Sequence, residues 1–268
     1  MIVTLLTDFG TADYFVGALR GSVLAANPEA RVVDITHEVP PFDIEAGAFT
    51  LRAAFETFPA GTVHVGVVDP GVGSARRAIA VEGRGHTFVG PDNGLFGYVY
   101  GRVGPFRVFQ LTNEKYFRRE VSTTFHGRDI FAPVGGALSR GVRAEELGPE
   151  VFDFVRLPAA AVERDEDGTL VGSVIHVDRF GNLVTNITPE DLSEESFARG
   201  ARLRIAGHEV RRFRRFFAED FEGIGEPFAI WGSAGLLEVA VFRDSAARLL
   251  GVARGERVEV KTGQNHPR

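Results

Sequence analysis

The run Val63-His64-Val65-Gly66-Val67-Val68 stops abruptly at Asp69-Pro70-Gly71. Short β-branched runs of this kind form strands covered on both faces, because neither face offers the polar alternation that water requires. Pro70-Gly71 forces a turn. A carboxylate, Asp69, therefore stands at the C-terminal end of a central strand, where open α/β sheets place their ligands. Gly71, Gly73 and Ser74 keep the following loop thin and leave Arg76 within reach of Asp69. The same residues also suit an ordinary strand, tight turn and surface ion pair, so the rest of the chain has to decide.

Around this strand, apolar periods alternate between two and 3.6. Ile2 to Thr7 predicts a first buried strand ending at Asp8-Phe9-Gly10, with Asp13 at the mouth of a helix that carries Phe15, Val16, Leu19, Val23 and Leu24. Asn27-Pro28 ends that helix. Arg31 to Ile35 predicts a second strand, leading to His37 and the turn Pro40-Pro41-Phe42-Asp43; Ile44 to Phe58 predicts a helix. The alternation implies an α/β domain with a mainly parallel sheet and helices on both faces. Further strands are expected at Ala78–Val81 and Thr87–Val89, then a turn at Gly90-Pro91-Asp92-Asn93-Gly94. His126 is expected on a loop just before a helix carrying Ile130, Phe131, Val134 and Leu138. Neither the first strand–helix turn nor Gly71-x-Gly73 supplies a dinucleotide fingerprint. Asp8-Phe9-Gly10 also matches the kinase magnesium tripeptide, but no room exists upstream for the other kinase elements.

The pattern changes after Asp153 to Gly168, which contains Pro158, an alanine run and Glu163-Arg164-Asp165-Glu166-Asp167. Short strands with turns follow at Val171–Val177, Leu183–Asn186, Leu203–Ile205, Ile230–Trp231, Leu236–Val241 and Val258–Val260. They imply an antiparallel β domain, a small barrel or sandwich. The expected organisation is thus 1–155, an α/β domain; 156–169, a linker; and 170–268, the β domain. The turn Asp178-Arg179-Phe180-Gly181-Asn182 can hydrogen-bond and stack on a heterocycle, or be a plain hairpin. The run Arg211 to Phe217, beside Glu219-Asp220-Phe221-Glu222, is expected to be a solvated basic face with core aromatics.

Composition narrows the function classes. A formal net charge of −6 argues against a dominant nucleic-acid partner. No apolar run has membrane-spanning length. The start of the chain shows no basic leader or cleavage site, so no signal peptide and a cytoplasmic location are expected. With no cysteine in 268 residues, disulfides, thiolate metal sites and cysteine nucleophiles are excluded.

Several stretches together carry a resemblance: Thr7-Asp8-Phe9-Gly10 with Asp13, Pro41-Phe42-Asp43, Val68-Asp69-Pro70-Gly71-Val72-Gly73 with Arg76, Pro91-Asp92-Asn93-Gly94, His126-Gly127-Arg128-Asp129, and Phe180-Gly181-Asn182 with Thr185-Asn186-Ile187. Each is weakly specific alone; their order and spacing are not. The chain resembles the S-adenosylmethionine hydroxide adenosyltransferases, relatives of the fluorinase and chlorinase enzymes, from Met1 to about residue 260. The resemblance implies an N-terminal α/β domain, a C-terminal antiparallel β-barrel domain, and a homotrimer with active sites between neighbouring subunits. It implies that S-adenosylmethionine and water give adenosine and methionine; without thiols or a cluster of His ligands, no metal and no cofactor are expected. It implies that Asp69, Arg76 and His126 hold and activate water and that Asp8 binds ribose, with Asp13 assisting. Phe42 would pack near the nucleoside, and Asp178, Phe180 and Asn182 would form the adenine side. Ser233 would lie near the methionine end, where the halogenases have an adjacent arginine and this chain has Ala234.

The chemistry is consistent with these residue types. The leaving group departs as a neutral thioether, so no general acid is needed. The nucleophile is the difficulty, since free water has a pKa of roughly 15.7. A carboxylate and an imidazole can accept or orient its protons, a guanidinium stabilises developing hydroxide, and in-line placement can supply about 7–11 kcal/mol. The related halogenases place tyrosines at the positions matching Asp69 and His126. A halide about 4 Å from Asp69 would meet roughly 4 kcal/mol of repulsion at an effective dielectric of about 20, so water is the expected nucleophile. Two other readings compete: a metal-dependent hydrolase using Asp8, Asp69, His126 and Asp129, and a nucleoside-binding module without turnover.

Overall fold

The computed structural model describes residues 1–157, 161–219 and 225–262. Residues 158–160 of the expected linker, and 220–222 of the acidic stretch, lie outside the described residues. The chain divides into two compact units, Met1–Ala159 and Ala160–Arg268, each built on its own sheet. Among the described residues no helix is long and apolar enough to cross a membrane.

The first unit is a six-stranded sheet with helices packed on it. Its strands are β1 (Ile2–Thr7), β2 (Arg31–Thr36), β3 (Val63–Val67), β4 (Ala78–Gly83), β5 (His86–Pro91) and β6 (Phe106–Gln110), in the order β2-β1-β3-β5-β4-β6. Every residue of β3 is buried, His64 included, as its near-continuous apolar run predicts. Helices α1 (Phe15–Ala26) and α4 (Ala132–Ser139) contribute Leu19, Val23, Val134 and Leu138 to one core, with Val3, Val65 and Val67 of the sheet. Helix α2 (Ile44–Phe55) contributes Leu51 and Phe55 to the other, with Leu6, Val68 and Phe88; a short helix, α3 (Gly97–Tyr100), adds Val99. Asp43 caps α2 by accepting from the Ala46 N–H at 3.0 Å, as an aspartate at a helix entry should.

The sheet is mixed. The ladders β1–β2, β1–β3 and β3–β5 are parallel, whereas β4–β5 and β4–β6 are antiparallel. The reason is the connection: only Arg84 and Gly85, both at positive φ, separate β4 from β5. A two-residue link makes a hairpin, while a parallel crossover needs a dozen residues or more.

Inside the second core, His64 is fully buried. Its Nδ1 lies 2.7 Å from the Thr4 hydroxyl and its Nε2 lies 3.1 Å from Nδ1 of His86. The ring stacks on Phe88 at 4.9 Å. Burial, with the neighbouring His86, pushes the His64 pKa down to about 3. The folded-state value is depressed below the ordinary 6.5, so below that pH the unfolded chain binds a proton that the native state refuses. Stability is therefore expected to be constant in this respect above pH 6.5 and to fall towards pH 3, by up to about 1.4 kcal/mol per pH unit. Urea unfolding at pH 7, 6 and 5 measures it, and His64→Gln should flatten the slope. Equal slopes in the two proteins would remove His64 from this role.

The second unit holds β7 (Glu163–Arg164), β8 (Leu170–Val177), β9 (Leu183–Thr185), β10 (Arg202–Ile205), β11 (His208–Val210), β12 (Arg212–Phe213), β13 (Pro227–Trp231), β14 (Leu237–Val241) and β15 (Arg257–Lys261). They run β11-β10-β15-β8-β9-β14-β13-β12, with β7 beside β8. The long strand β8 joins the two halves: its first residues pair with β15 and its last with β9, across a register shift between Val174 and His176. The ladders are antiparallel except β12–β13, which is parallel. Leu170, Val174, Leu183, Leu203, Val239 and Val258 share one core; α5 (Glu194–Ala198) adds Phe197 and α6 (Ala246–Leu250) adds Leu250.

The basic run differs from its expectation at two points. Arg214 is buried, its guanidinium 4.3 Å from the Phe228 ring and donating to the Phe217 carbonyl. Phe216 and Phe217 are exposed. An arginine over an aromatic face keeps its stem and plane packed while its N–H groups are satisfied, which a lysine would not do.

Candidate active site

Asp69 follows β3 as the apolar run predicts. The strand end is held by Asn93, whose amide donates to the Val68 carbonyl at 2.8 Å. The loop then closes through successive turns: Val72 N–H to Asp69 O, Ser74 N–H to Gly71 O, and Arg76 N–H to the Ser74 hydroxyl. This returns the Arg76 guanidinium to Asp69. Nε donates to both carboxylate oxygens at 3.0 and 3.1 Å, and Nη2 donates to Oδ2 at 2.5 Å. The side chains are only 10% and 4% exposed, so this is a buried ion pair.

His126 reaches the same group from a second loop. It precedes a single π-turn, Gly127–Phe131, that leads into α4. Gly127 packs against Leu19, Phe9 and Val67, where a Cβ would stand 3.3 Å from the Leu19 side chain. Arg76 Nη2 donates to His126 Nδ1 at 2.7 Å. Because an arginine has no lone pair to offer, Nδ1 accepts, and a neutral His126 carries its proton on Nε2. Burial lowers the His126 pKa, Arg76 lowers it further, and Asp69 and Asp129 oppose them. The two loops also interlock through backbone: Gly73, at φ +79°, packs so closely that a Cβ would stand 2.3 Å from the Thr123 carbonyl oxygen.

Asp129 anchors the His126 loop from beneath. Its fully buried carboxylate accepts from Ser122 N–H at 2.9 Å and from Arg128 Nε and Nη2 at 2.6 and 2.8 Å. Burial alone would raise this carboxyl, but the Arg128 and Ser122 hydrogen bonds, with the charges of Arg128 and Arg118, hold it below the usual carboxylate range. The metal reading needs Asp129 as a ligand. Here it is committed to Arg128, and Asp69 to Arg76, so this donor set does not fit that role. Among the described residues no group of three or more His, Asp or Glu side chains is arranged to hold a metal ion.

A cavity of about 290 Å³ opens above these groups, lined by Asp8, Phe42, Asp69, Val72, Phe125 and His126 among others. Asp8 follows β1, and its Oδ2 accepts from the Phe42 N–H at 2.8 Å. Its Oδ1 has no protein partner among the described residues. Phe42 is 72% exposed and sits at φ +66°, a left-handed conformation a bulky residue rarely takes. Asp13 is exposed and is not part of this lining.

The remaining expected site residues belong to the second unit. Asp178 organises its turn, Oδ1 accepting from the N–H groups of Phe180 and Asn182 at 2.9 and 2.8 Å, and Oδ2 from the Asn182 amide at 2.8 Å. Phe180 is left 77% exposed while Asn182 is buried, and both line a cavity of about 570 Å³ with Phe217 and Ser245. Ser233 is exposed on the turn between β13 and β14 and lies outside that lining. Burial, with Asp178 adding its charge, pushes the Glu238 carboxyl up to about 7. The alternation in Leu237-Glu238-Val239 marks Glu238 as facing away from the main core; its half-burial on the other face has no sequence signature. Asp92, of the Pro91–Gly94 turn, has a structural place: it accepts from Arg77 and from Val155 N–H.

Two family models match the chain: the SAM hydroxide adenosyltransferase N-terminal domain over residues 3–148, and the corresponding C-terminal domain over residues 172–259. The chain is 37% identical to an "(R)-S-adenosyl-L-methionine hydrolase" of Methanocaldococcus jannaschii, covering 97% of this chain and 95% of that protein. It is 28% identical to a "Fluorinase" of Nocardia brasiliensis, covering 98% and 97%. A crystal structure of an uncharacterized conserved protein from Thermotoga maritima superposes with a TM-score of 0.89 at 34% identity, covering 97% of this chain and 99% of that one.

Proposed function

From the premise that this chain belongs to the SAM hydroxide adenosyltransferase family, we infer that it hydrolyses S-adenosyl-L-methionine to adenosine and methionine. Water attacks the ribose C5′, a C5′–O bond forms as the C5′–S bond breaks, and the bonding pair leaves on sulfur. Methionine departs neutral at sulfur, and the water gives up one proton.

The observation that carries the assignment of roles is the single guanidinium that bridges Asp69 and His126 beside the Asp8 cavity. Arg76 occupies Nδ1 of His126, so His126 meets the site as a neutral Nε2–H donor and orients the water oxygen. Asp69 is then the group that accepts the water's proton. Proton transfer is late: carbon–oxygen bonding makes the water acidic before the proton leaves. The positive guanidinium stabilises hydroxide character in the transition state. Asp8 holds a ribose hydroxyl through its unpartnered Oδ1, and Phe42 covers the nucleoside. The first unit carries the water-activating groups, and the second, read as a β-barrel module, supplies the adenine side through Phe180 and Asn182. The name of the 37% identical relative points to the (R)-sulfonium epimer as substrate. The absence of cysteine fits a reducing compartment, and the cytoplasm is the proposed location.

Chelator-treated protein given each sulfonium epimer should release adenosine and methionine in equal amounts, faster from the (R) form. Adenosine binding without turnover of either epimer would overturn the reading.

The enzyme is proposed to be a homotrimer in which the second unit of one subunit completes the site on the first unit of its neighbour. Phe42 and Phe180, 72% and 77% exposed, support it: large bare aromatics on both units invite cover. Mixing an inactive Asp69→Asn protein with an inactive Asn182→Ala protein should then restore activity as subunits exchange. Demonstrated exchange with no recovery would place each site within one chain.

A further inference from the structure

His37 lies outside the reaction just described, yet it is buried (4% exposed) at the end of β2, against the turn that carries Asp8. Its Nδ1 is 2.8 Å from the Thr7 hydroxyl, and Thr7 is itself fully buried. That hydroxyl oxygen accepts from the Phe9 N–H at 3.2 Å. Because His37 Nε2 faces the Asp34 carboxylate at 3.2 Å, where a ring lone pair would be repelled, the imidazole proton sits on Nε2 and the Thr7 hydroxyl donates to Nδ1. His37 grips the turn a second time through its backbone, where its carbonyl accepts from the Gly10 N–H at 2.7 Å. Asp8 is therefore bracketed by Thr7, Phe9 and Gly10, each joined directly or through Thr7 to His37.

The outer side of the ring is poorly satisfied. Nε2 lies 3.2 Å from Asp34 Oδ1 but without hydrogen-bond alignment, and Asp34 is engaged by Arg20 from α1. A buried imidazole with one nitrogen left short of a partner costs stability that an aliphatic side chain of similar volume would not. What the imidazole adds is an acceptor aimed at Thr7.

We propose that His37 is a positioning residue for nucleoside binding: through Thr7 it fixes the Thr7–Gly10 turn so that the Asp8 carboxylate meets the ribose. The proposal rests on the reading of Asp8 as the ribose ligand. The ring touches no substrate and takes no proton in the reaction, so its loss acts on binding more than on turnover.

The experiment is adenosine calorimetry with S-adenosylmethionine kinetics on Asp8→Ala, His37→Phe, His37→Asn and Thr7→Val, each checked for folding by circular dichroism. His37→Phe keeps the bulk and removes the acceptor; it should raise the adenosine Kd and the substrate KM together, about tenfold, with kcat held within about threefold. His37→Asn, whose side-chain oxygen can take the Thr7 proton, should recover most of the loss, which a volume-filling role would not predict. Thr7→Val should reproduce the His37→Phe defect and carries the test if His37→Phe fails to fold. Unchanged adenosine affinity in both His37→Phe and Thr7→Val, with Asp8→Ala impaired, overturns the role of His37. Unchanged affinity in Asp8→Ala overturns instead the assignment of Asp8 on which it rests.

Discussion

Replacing Asp69 with asparagine is expected to lower kcat about a thousandfold while adenosine affinity stays within about twofold. Asparagine fills the same space and still offers Arg76 one carbonyl oxygen, so the fold of the loop persists. It removes the carboxylate that lines the cavity beside Arg76, and with it the proposed acceptor for the water's proton. Adenosine carries no leaving group, and its proposed ligands, Asp8 and the aromatic residues, are not touched by the change. Asp69→Ala should be as inactive and also less stable, because it strands the buried Arg76 guanidinium, a loss of the order of 3–5 kcal/mol. Stopped assays give the rate and calorimetry the affinity. A parallel fall in both, in folded Asp69→Asn protein, would mean that Asp69 holds the nucleoside.

Arg76→Lys is the second large effect. It keeps the charge and loses the fork. In the native loop one guanidinium spans the Asp69 carboxylate and His126 Nδ1 at once. An ammonium on a flexible stem cannot hold both partners in a fixed plane. His126 is then free to rotate or to take a proton at Nδ1, and the donor proposed to orient the water is lost. Turnover should fall about a hundredfold, again with little change in adenosine affinity. The cation–aromatic contact with Phe131, at 5.2 Å, goes with it, so a modest loss of stability should accompany the kinetic one. Near-native turnover in Arg76→Lys would show that charge alone suffices and that the bridging geometry is incidental.

These effects centre on a feature that is legible in the chain itself. The apolar run of β3, the stop at Pro70-Gly71 and the thin loop returning Arg76 to Asp69 depend only on local chemistry, and the folded loop has that form. His126 is different. It lies fifty residues on from Arg76, and no local pattern couples them; the family resemblance suggested the group, and the two loops meet because Gly73 packs directly on Thr123. The antiparallel edge of the first sheet has little sequence signal because β6, Phe106–Gln110, is short and weakly alternating, although the Arg84-Gly85 hairpin beside it follows ordinary turn chemistry. Burial of polar groups was the least legible property. His37, Arg214 and Glu238 have sequence surroundings typical of exposed positions, and only tertiary packing shows that one grips a turn, one lies on an aromatic ring and one has its carboxyl pushed upward. Asp13, prominent beside Asp8 in sequence, is exposed outside the cavity lining because the chain turns into α1 before it can face inward.

Water attacking carbon at C5′ is tested most directly by isotope incorporation. The protein, freed of metal by chelator, is incubated with S-adenosylmethionine in ¹⁸O-labelled water containing chloride, and the nucleoside product is weighed by mass spectrometry. The predicted result is adenosine carrying one ¹⁸O, located at the 5′ oxygen by fragmentation. Unlabelled adenosine, or 5′-chloro-5′-deoxyadenosine as the main product, would contradict it.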